Sequence, residues 1–454
     1  MDAPANDKAY LWAVPVDRRR RILGLALPII GGMLSQNVLN LVDAAMVGSF
    51  GDAALAGVGL GGFANFLLSS FILGLSAGVQ AMAARRVGEG RFTETAIPLN
   101  GGILIALFLA VPWSAVLIDL APKYFPLLAT DPAVSEQGVP YLRARLVAMV
   151  AMGMNFSFRG YWNAVDKSIL YMRTLISMHI LNIFLNWVFI FGNLGAPELG
   201  ATGAGVASAI STFFGTASYF VLGRRHARDA GFMRGLPDRP TIRTMLRLAA
   251  PAGLQQFFFA AGMTVFLALV ARMGTPELAA TKVIIDLLLV GILPGLGFGL
   301  AAASLAGQAL GRADVDDAMQ WGWDVTKMAV VVVGAISVPA IIVPDMILRV
   351  FIHDPATLAI ASAPLRLVAA SLFLDCVGMV LMNALLGVGD MRRVTIISTS
   401  LQWLLFLPVV YLLGPKLGLG LTVVFAAQVT YRIVQSGTFA LMWKRARWQS
   451  IRMA

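Results

Sequence analysis

Twelve apolar runs alternate with short polar connectors along the chain. Each approaches or exceeds the roughly 20 residues that a helix needs to cross a bilayer. The first six fall near Ile22–Val47, Ala53–Ala83, Ala96–Ile118, Leu142–Trp162, Ile169–Phe191 and Gly200–Leu222. The second six fall near Leu248–Val270, Leu278–Leu305, Val325–Leu348, Leu365–Leu386, Val394–Leu413 and Leu419–Met442. This pattern predicts an all-α polytopic membrane protein of twelve transmembrane helices. The fourth run is the least regular, because Arg143, Arg145 and Arg159 crowd its ends.

One long polar stretch, Arg224–Arg247, divides the runs six and six. The expected layout is a cytoplasmic segment 1–21, an N-lobe 22–222, a connector 223–247, a C-lobe 248–442 and a cytoplasmic tail 443–454. The two halves repeat. Pro28 matches Pro251, Gly51 matches Gly274, Leu55 matches Leu278 and Gly88 matches Gly311, all at one ungapped offset. Six helices per half is an even number, so both halves enter from one side and the repeat is parallel, an arrangement used by transporters.

Composition agrees with the runs. Hydrophobic residues make up 58% of the chain and charged residues only 13%, against about 25% in a soluble domain. The net charge of +11 does not point to nucleic acid, because Arg and Lys cluster in short connectors, as the positive-inside rule requires. Arg18–Arg21, Arg85, Arg86, Arg91, Lys167, the central connector, Arg312, Arg392, Arg393 and Lys444 fall on one side. The opposite connectors GSFGDA and GNLGAPELG carry no Lys or Arg. Both termini are therefore expected in the cytoplasm and the protein in the inner membrane, as a monomer. The basic run Arg18–Arg21 leads into a segment too long for a cleavable signal. The lone Cys376 excludes a disulfide framework.

Within this apolar background a few polar positions stand out. Gln36, Asn40 and Asp43 are spaced i, i+4 and i+7 and share one face of the first helix, with Pro28 upstream as a point where that helix can loosen. An ionisable residue inside a membrane helix points to function; the competing reading is a structural Asp bonded to neighbouring helices. At the repeat offset Asp43 faces Phe266, and the second half carries its carboxylate elsewhere, at Asp375. Packing residues should recur in both halves, and these do not. Lys282 and Asp286 stand at i, i+4 in the eighth helix, as an internal ion pair or as a further cavity carboxylate. Asn182 and Asn186 share a face of the fifth helix and are placed to bond Asp43; His179 beside them reads as a packed histidine. Gln255 and Gln256 follow Pro251 in the seventh helix. These residues form the candidate ion-coupling and substrate-binding set.

No G-x-x-x-x-G-K-[ST], H-E-x-x-H, metal-spaced Cys/His set or TVGYG filter occurs in the sequence. Transport would then draw on an ion gradient, with no cofactor, no metal site and no catalytic residue.

Several stretches together resemble the multidrug and toxic compound extrusion (MATE) family over nearly the whole chain. They are Pro28–Asp43 followed by MVGSFGDAALAG, GLSAGVQAMAARRVGEG, NIFLNWVFIFG, GATGAGVASAIS, PGLGFGLAAASLAGQALGRAD, and Asp375 followed by NALLGVGD. The resemblance implies two six-helix lobes around a central cavity, and antiport of small organic, often cationic or amphipathic compounds against H⁺ or Na⁺. It places Asp43 at the first-helix acidic position, linked to protonation and to bending at Pro28. It places Asp375 at the tenth-helix position, where Na⁺ would bind in the NorM-like branch. Two departures keep the coupling ion open. Asn186 stands where proton-coupled branches often have Asp, and Gln255 and Gln256 stand in a helix that usually supplies a Glu. A lipid-linked saccharide flippase of the same broad superfamily is the alternative, and an integral membrane enzyme or channel the alternative of another class.

Overall fold

The computed structural model describes residues 14–129 and 131–451. Parts of the expected terminal segments, 1–13 and 452–454, lie outside the described residues. Every regular element among the described residues is helical. They are α1 (Val16–Gly48), α2 (Asp52–Gly88), α3 (Ile97–Tyr124), α4 (Pro132–Val147), α5 (Met149–Ala164), α6 (Ser168–Phe191), α7 (Gly200–His226) and α8 (Arg239–Ala271). There follow α9 (Thr275–Gly311), α10 (Val315–Ile342), the short α11 (Pro344–Leu348), α12 (Pro355–Gly387), α13 (Met391–Ser400), α14 (Leu407–Tyr411) and α15 (Leu421–Lys444). A wide π turn at Leu401–Phe406 joins α13 to α14, and a second at Leu412–Lys416 continues the passage beyond α14. Pro408 and Pro415 fall in this passage and each lacks the N–H of a regular helical bond.

Among the described residues, ten helical segments are long and apolar enough to cross a membrane, by length and composition. The other two of the expected twelve passages are α4–α5 and α15. The α4–α5 passage is broken at Ala148 (φ −85°, ψ 4°). Its arginines are accommodated individually: Arg143 Nε donates to Ile118 O at 3.0 Å. Arg159 Nε donates to Ser76 Oγ at 3.1 Å, and its guanidinium lies 4.5 Å from the Phe156 ring centre.

The repeat holds in helix length. α1 and α8 have 33 residues each, α2 and α9 have 37, and α3 and α10 have 28. It also holds in backbone conformation. Gly389, after α12, takes φ 93°, and its counterpart after α5 is Asp166, forced to φ 59° without glycine's freedom.

The chain forms two compact units. Among the described residues, the N-unit is Gly31–Phe257 and the C-unit comprises 14–30 and 258–451. Relative to lobes at 22–222 and 248–442, the first halves of α1 and α8 are exchanged. Helix α1 runs unbroken through Pro28, and the change of unit falls two residues later.

In the C-unit, the start of α1 is fixed by charge. Arg18 lies 2.6 Å from Asp317 and 2.7 Å from Asp324 of α10, and its guanidinium stacks 3.6 Å from the Trp321 ring centre. Arg21 bonds the side chain of Gln308. In the N-unit the first half of α8 crosses α2 so closely that a Cβ on Gly74 would lie 2.2 Å from Ala249 O. Only glycine permits that approach.

Candidate ion-coupling and substrate site

In the N-unit the polar face of α1 meets a polar face of α6. Gly31 and Gly32 open the contact: a Cβ on Gly32 would lie 3.0 Å from Tyr171 Cε1. Three turns further along α1, Asn186 Nδ2 donates to Asp43 Oδ1 at 2.5 Å and to Asn182 Oδ1 at 3.1 Å. With its amide turned, Asn182 instead donates to Asp43 Oδ1 at 3.3 Å and accepts from Ser208 N at 3.1 Å and Ser208 Oγ at 3.2 Å. Asn182 and Asn186 are buried; Asp43 is half-buried. No ion pair within 4 Å reaches Asp43 among the described residues. Arg145 of α4 acts on it only through its field.

The rest of the α1 face forms a second group. His179 Nδ1 lies 3.0 Å from Ser35 Oγ and Nε2 lies 3.1 Å from Gln36 Oε1. The Ser35 hydroxyl already donates to Gly32 O at 2.7 Å. A neutral ring is satisfied in this arrangement: Nε2–H donates to Gln36 Oε1, and the Ser35 hydroxyl, which can turn away from Gly32 O, donates to Nδ1. Gln36 Nε2 in turn donates to Asn40 Oδ1 at 3.2 Å. The histidine read as packed at 179 bonds the polar face of α1. Gln255 is buried and Gln256 half-buried in the part of α8 that belongs to this unit.

In the C-unit, Asp375 of α12 is 8% exposed and lies 3.5 Å from Arg432 Nε of α15. Arg432 Nη1 donates to Gln435 Oε1 at 3.0 Å, and Gln435 Nε2 donates to Tyr431 Oη at 3.2 Å. A Na⁺ ion at Asp375 would have to share the carboxylate with this guanidinium. Lys282 and Asp286 stand exposed on α9, attracting one another across one turn. No group of three or more His, Cys, Asp or Glu side chains suited to a metal ion occurs among the described residues.

Of the expected residues, Asp43, Asn182 and Asn186 come together, and Gln36 and Asn40 join through His179's group. Asp375, Lys282 and Asp286 belong to the other unit. Sequence reasoning missed Arg432, Ser35 and Ser208. The signal for Arg432 was present: a lone Arg inside the last apolar run needs an acidic partner. Serines carry no comparable signal, because they also bond their own helix backbone.

A family model described as MatE matches the chain twice, over residues 28–188 and 251–412. The two matches begin at the prolines that define the internal repeat. The chain is 24% identical over 444 residues to the probable multidrug resistance protein NorM of Thermotoga maritima, covering 95% of this chain and 93% of that protein. It is 27% identical over 410 residues to the probable multidrug resistance protein NorM of Pasteurella multocida, covering 88% of each. Similar solved structures include an outward-facing multidrug resistance MATE family transporter of the MOP superfamily. That likeness has a TM-score of 0.87 at 21% identity and covers 99% of this chain and 100% of that one. A MOP superfamily transporter from Pyrococcus furiosus gives a TM-score of 0.85 at 20% identity, covering 99% and 100%. At these identities the likeness to the solved structures is one of fold.

Proposed function

The chain belongs to the MatE family, and from that premise we propose that it is a secondary antiporter exporting small organic, cationic or amphipathic compounds in exchange for H⁺. The observation that carries this reading is the Asp43 group: a carboxylate inside a membrane helix held by amide donors, with no ion-pair partner. A proton arriving there cancels the only formal charge of the group. It also replaces the charge-assisted bond from Asn186 with a neutral one, about half as strong. Such a local change biases a two-state element, and α1 is suited to be that element. Its first half belongs to one unit, its second half to the other, and Pro28 lies just before the change. Asp375 is the less suitable coupling site, because Arg432 already neutralises it. We further propose an inner-membrane location with both termini cytoplasmic, supported by the arginine-rich connectors, and a monomer, since one chain carries both repeats.

The test is efflux of a fluorescent organic cation from proteoliposomes holding the full chain, with the Na⁺ and proton gradients imposed independently. Efflux should follow the proton gradient alone. Transport driven by Na⁺ with no pH difference would overturn H⁺ coupling, and transport indifferent to both gradients would overturn antiport.

A further inference from the structure

The N-unit holds a second feature, remote in character from the polar α1–α6 face. A cavity of about 560 Å³ opens among α2, α3 and the first half of α8. Its origin lies in the packing. The glycine crossing of α2 and α8 brings those two backbones into contact, and α3 supplies the third wall. Every residue lining the cavity is apolar. Leu109, Trp113, Phe71 and Leu246 remain exposed around it. Trp113 is pinned by its indole N–H, which donates to Leu68 O at 3.2 Å, so the cleft has a fixed wall. Its α3 wall runs from Ile105 to Val116, about 16 Å at 1.5 Å per residue. That is close to half of the about 30 Å hydrocarbon core of a bilayer.

The end of this cleft nearest the α8 N-terminus is basic. Leu246 and Ala250 line the cavity and are exposed on α8, and Arg243 and Arg247 are exposed on the same face, within one turn of them. Neither arginine has an ion-pair or hydrogen-bond partner among the described residues. Asp238, just before α8, is committed to the helix start, where it accepts from Thr241 N at 3.0 Å. Hydrogen bonds from Thr241 hold the Asp238 carboxyl below its usual range.

We propose that this cleft is a binding site for one anionic phospholipid of the leaflet on the α8 N-terminal side. An acyl chain fills the cavity, and the phosphate is held by Arg243 and Arg247. Charge complementarity selects the headgroup and the fixed apolar wall seats the chain. The lipid would brace the first half of α8, the segment that the N-unit takes from the second repeat. This inference needs only that the protein is embedded in a bilayer and does not depend on the coupling ion.

The experiment is native mass spectrometry of the full chain released from micelles containing equal amounts of phosphatidylglycerol and phosphatidylcholine. The wild type should retain one phosphatidylglycerol in preference to phosphatidylcholine. The Arg243→Gln/Arg247→Gln variant should lose that preference, about fivefold per arginine. Ala250→Phe, which fills the exposed mouth of the cleft, should reduce retention of both lipids. The control variant Arg224→Gln/Arg225→Gln removes two exposed arginines elsewhere and should behave as wild type. Equal retention of the two lipids by the wild type would overturn the proposal. So would an equal loss in the control variant, which would mean general charge attraction. Full retention by Ala250→Phe would remove the acyl chain from the cavity.

Discussion

The two repeats meet the same structural position with opposite chemistry. In the N-unit, α1 presents Asp43 to Asn186 of α6. At the matching position in the C-unit, α8 presents Phe266, whose ring lies 5.4 Å from Phe406 and 6.2 Å from Phe425. One contact is polar and can change its charge; the other is an aromatic core, 1% exposed at Phe266, and cannot. The C-unit does carry a buried carboxylate, Asp375, but gives it a guanidinium. An amide-held carboxylate can take a proton and leave no cation behind. A paired carboxylate that takes a proton leaves the partly buried Arg432 without its counter-charge, which is costly. Under the proposed coupling at Asp43, the N-unit would switch and the C-unit would stay constant.

The sharpest way to break this comparison is Asp43→Asn. Proton-driven efflux should fall at least tenfold, to the level of empty vesicles, with an unchanged melting temperature in detergent. Wild-type efflux would reduce Asp43 to a structural role and erase the distinction. The next effect belongs to the other carboxylate. Arg432→Gln leaves Asp375 buried without its cation and should destabilise the protein by roughly 3–5 kcal/mol, read as an early thermal transition. The Asp375→Asn/Arg432→Gln pair should melt higher than Arg432→Gln alone, since it removes the stranded charge. A double variant no more stable than the single one would show that the two groups are not coupled. The smallest change is Asn186→Ala, which removes the shortest donor to Asp43. A hydrogen bond to a charged group contributes about 1.5–3 kcal/mol; with Asn182 still beside the carboxylate the lower end applies, so turnover should drop by about tenfold while folding persists. An unchanged rate would mean that Asn182 alone suffices to hold the carboxylate.

Much of this architecture is legible along the chain. The apolar runs and the fixed offset from Pro28 to Pro251 are local or periodic signals, and the equal lengths of α1 and α8, of α2 and α9, and of α3 and α10 follow them. The break at Ala148 was visible only as a crowd of arginines, because hydropathy cannot distinguish a bent passage from a weak one. The Asp43 face was legible because i, i+4 and i+7 positions share a side. Its bond to Asn186 spans 143 residues of sequence and depends on how α1 and α6 meet.

The sequence by itself therefore determined the helical class, the twofold repeat and the existence of an expensive carboxylate in each half. Bilayer length, periodicity and desolvation act on single segments. Only the tertiary structure decided that Asp43 is held by amides and Asp375 by Arg432, that Arg18 is locked onto α10, and that α1 and α8 are divided between the units near their prolines. Those outcomes depend on which distant segments come within a few ångströms, where a hydrogen bond or an ion pair either forms or does not.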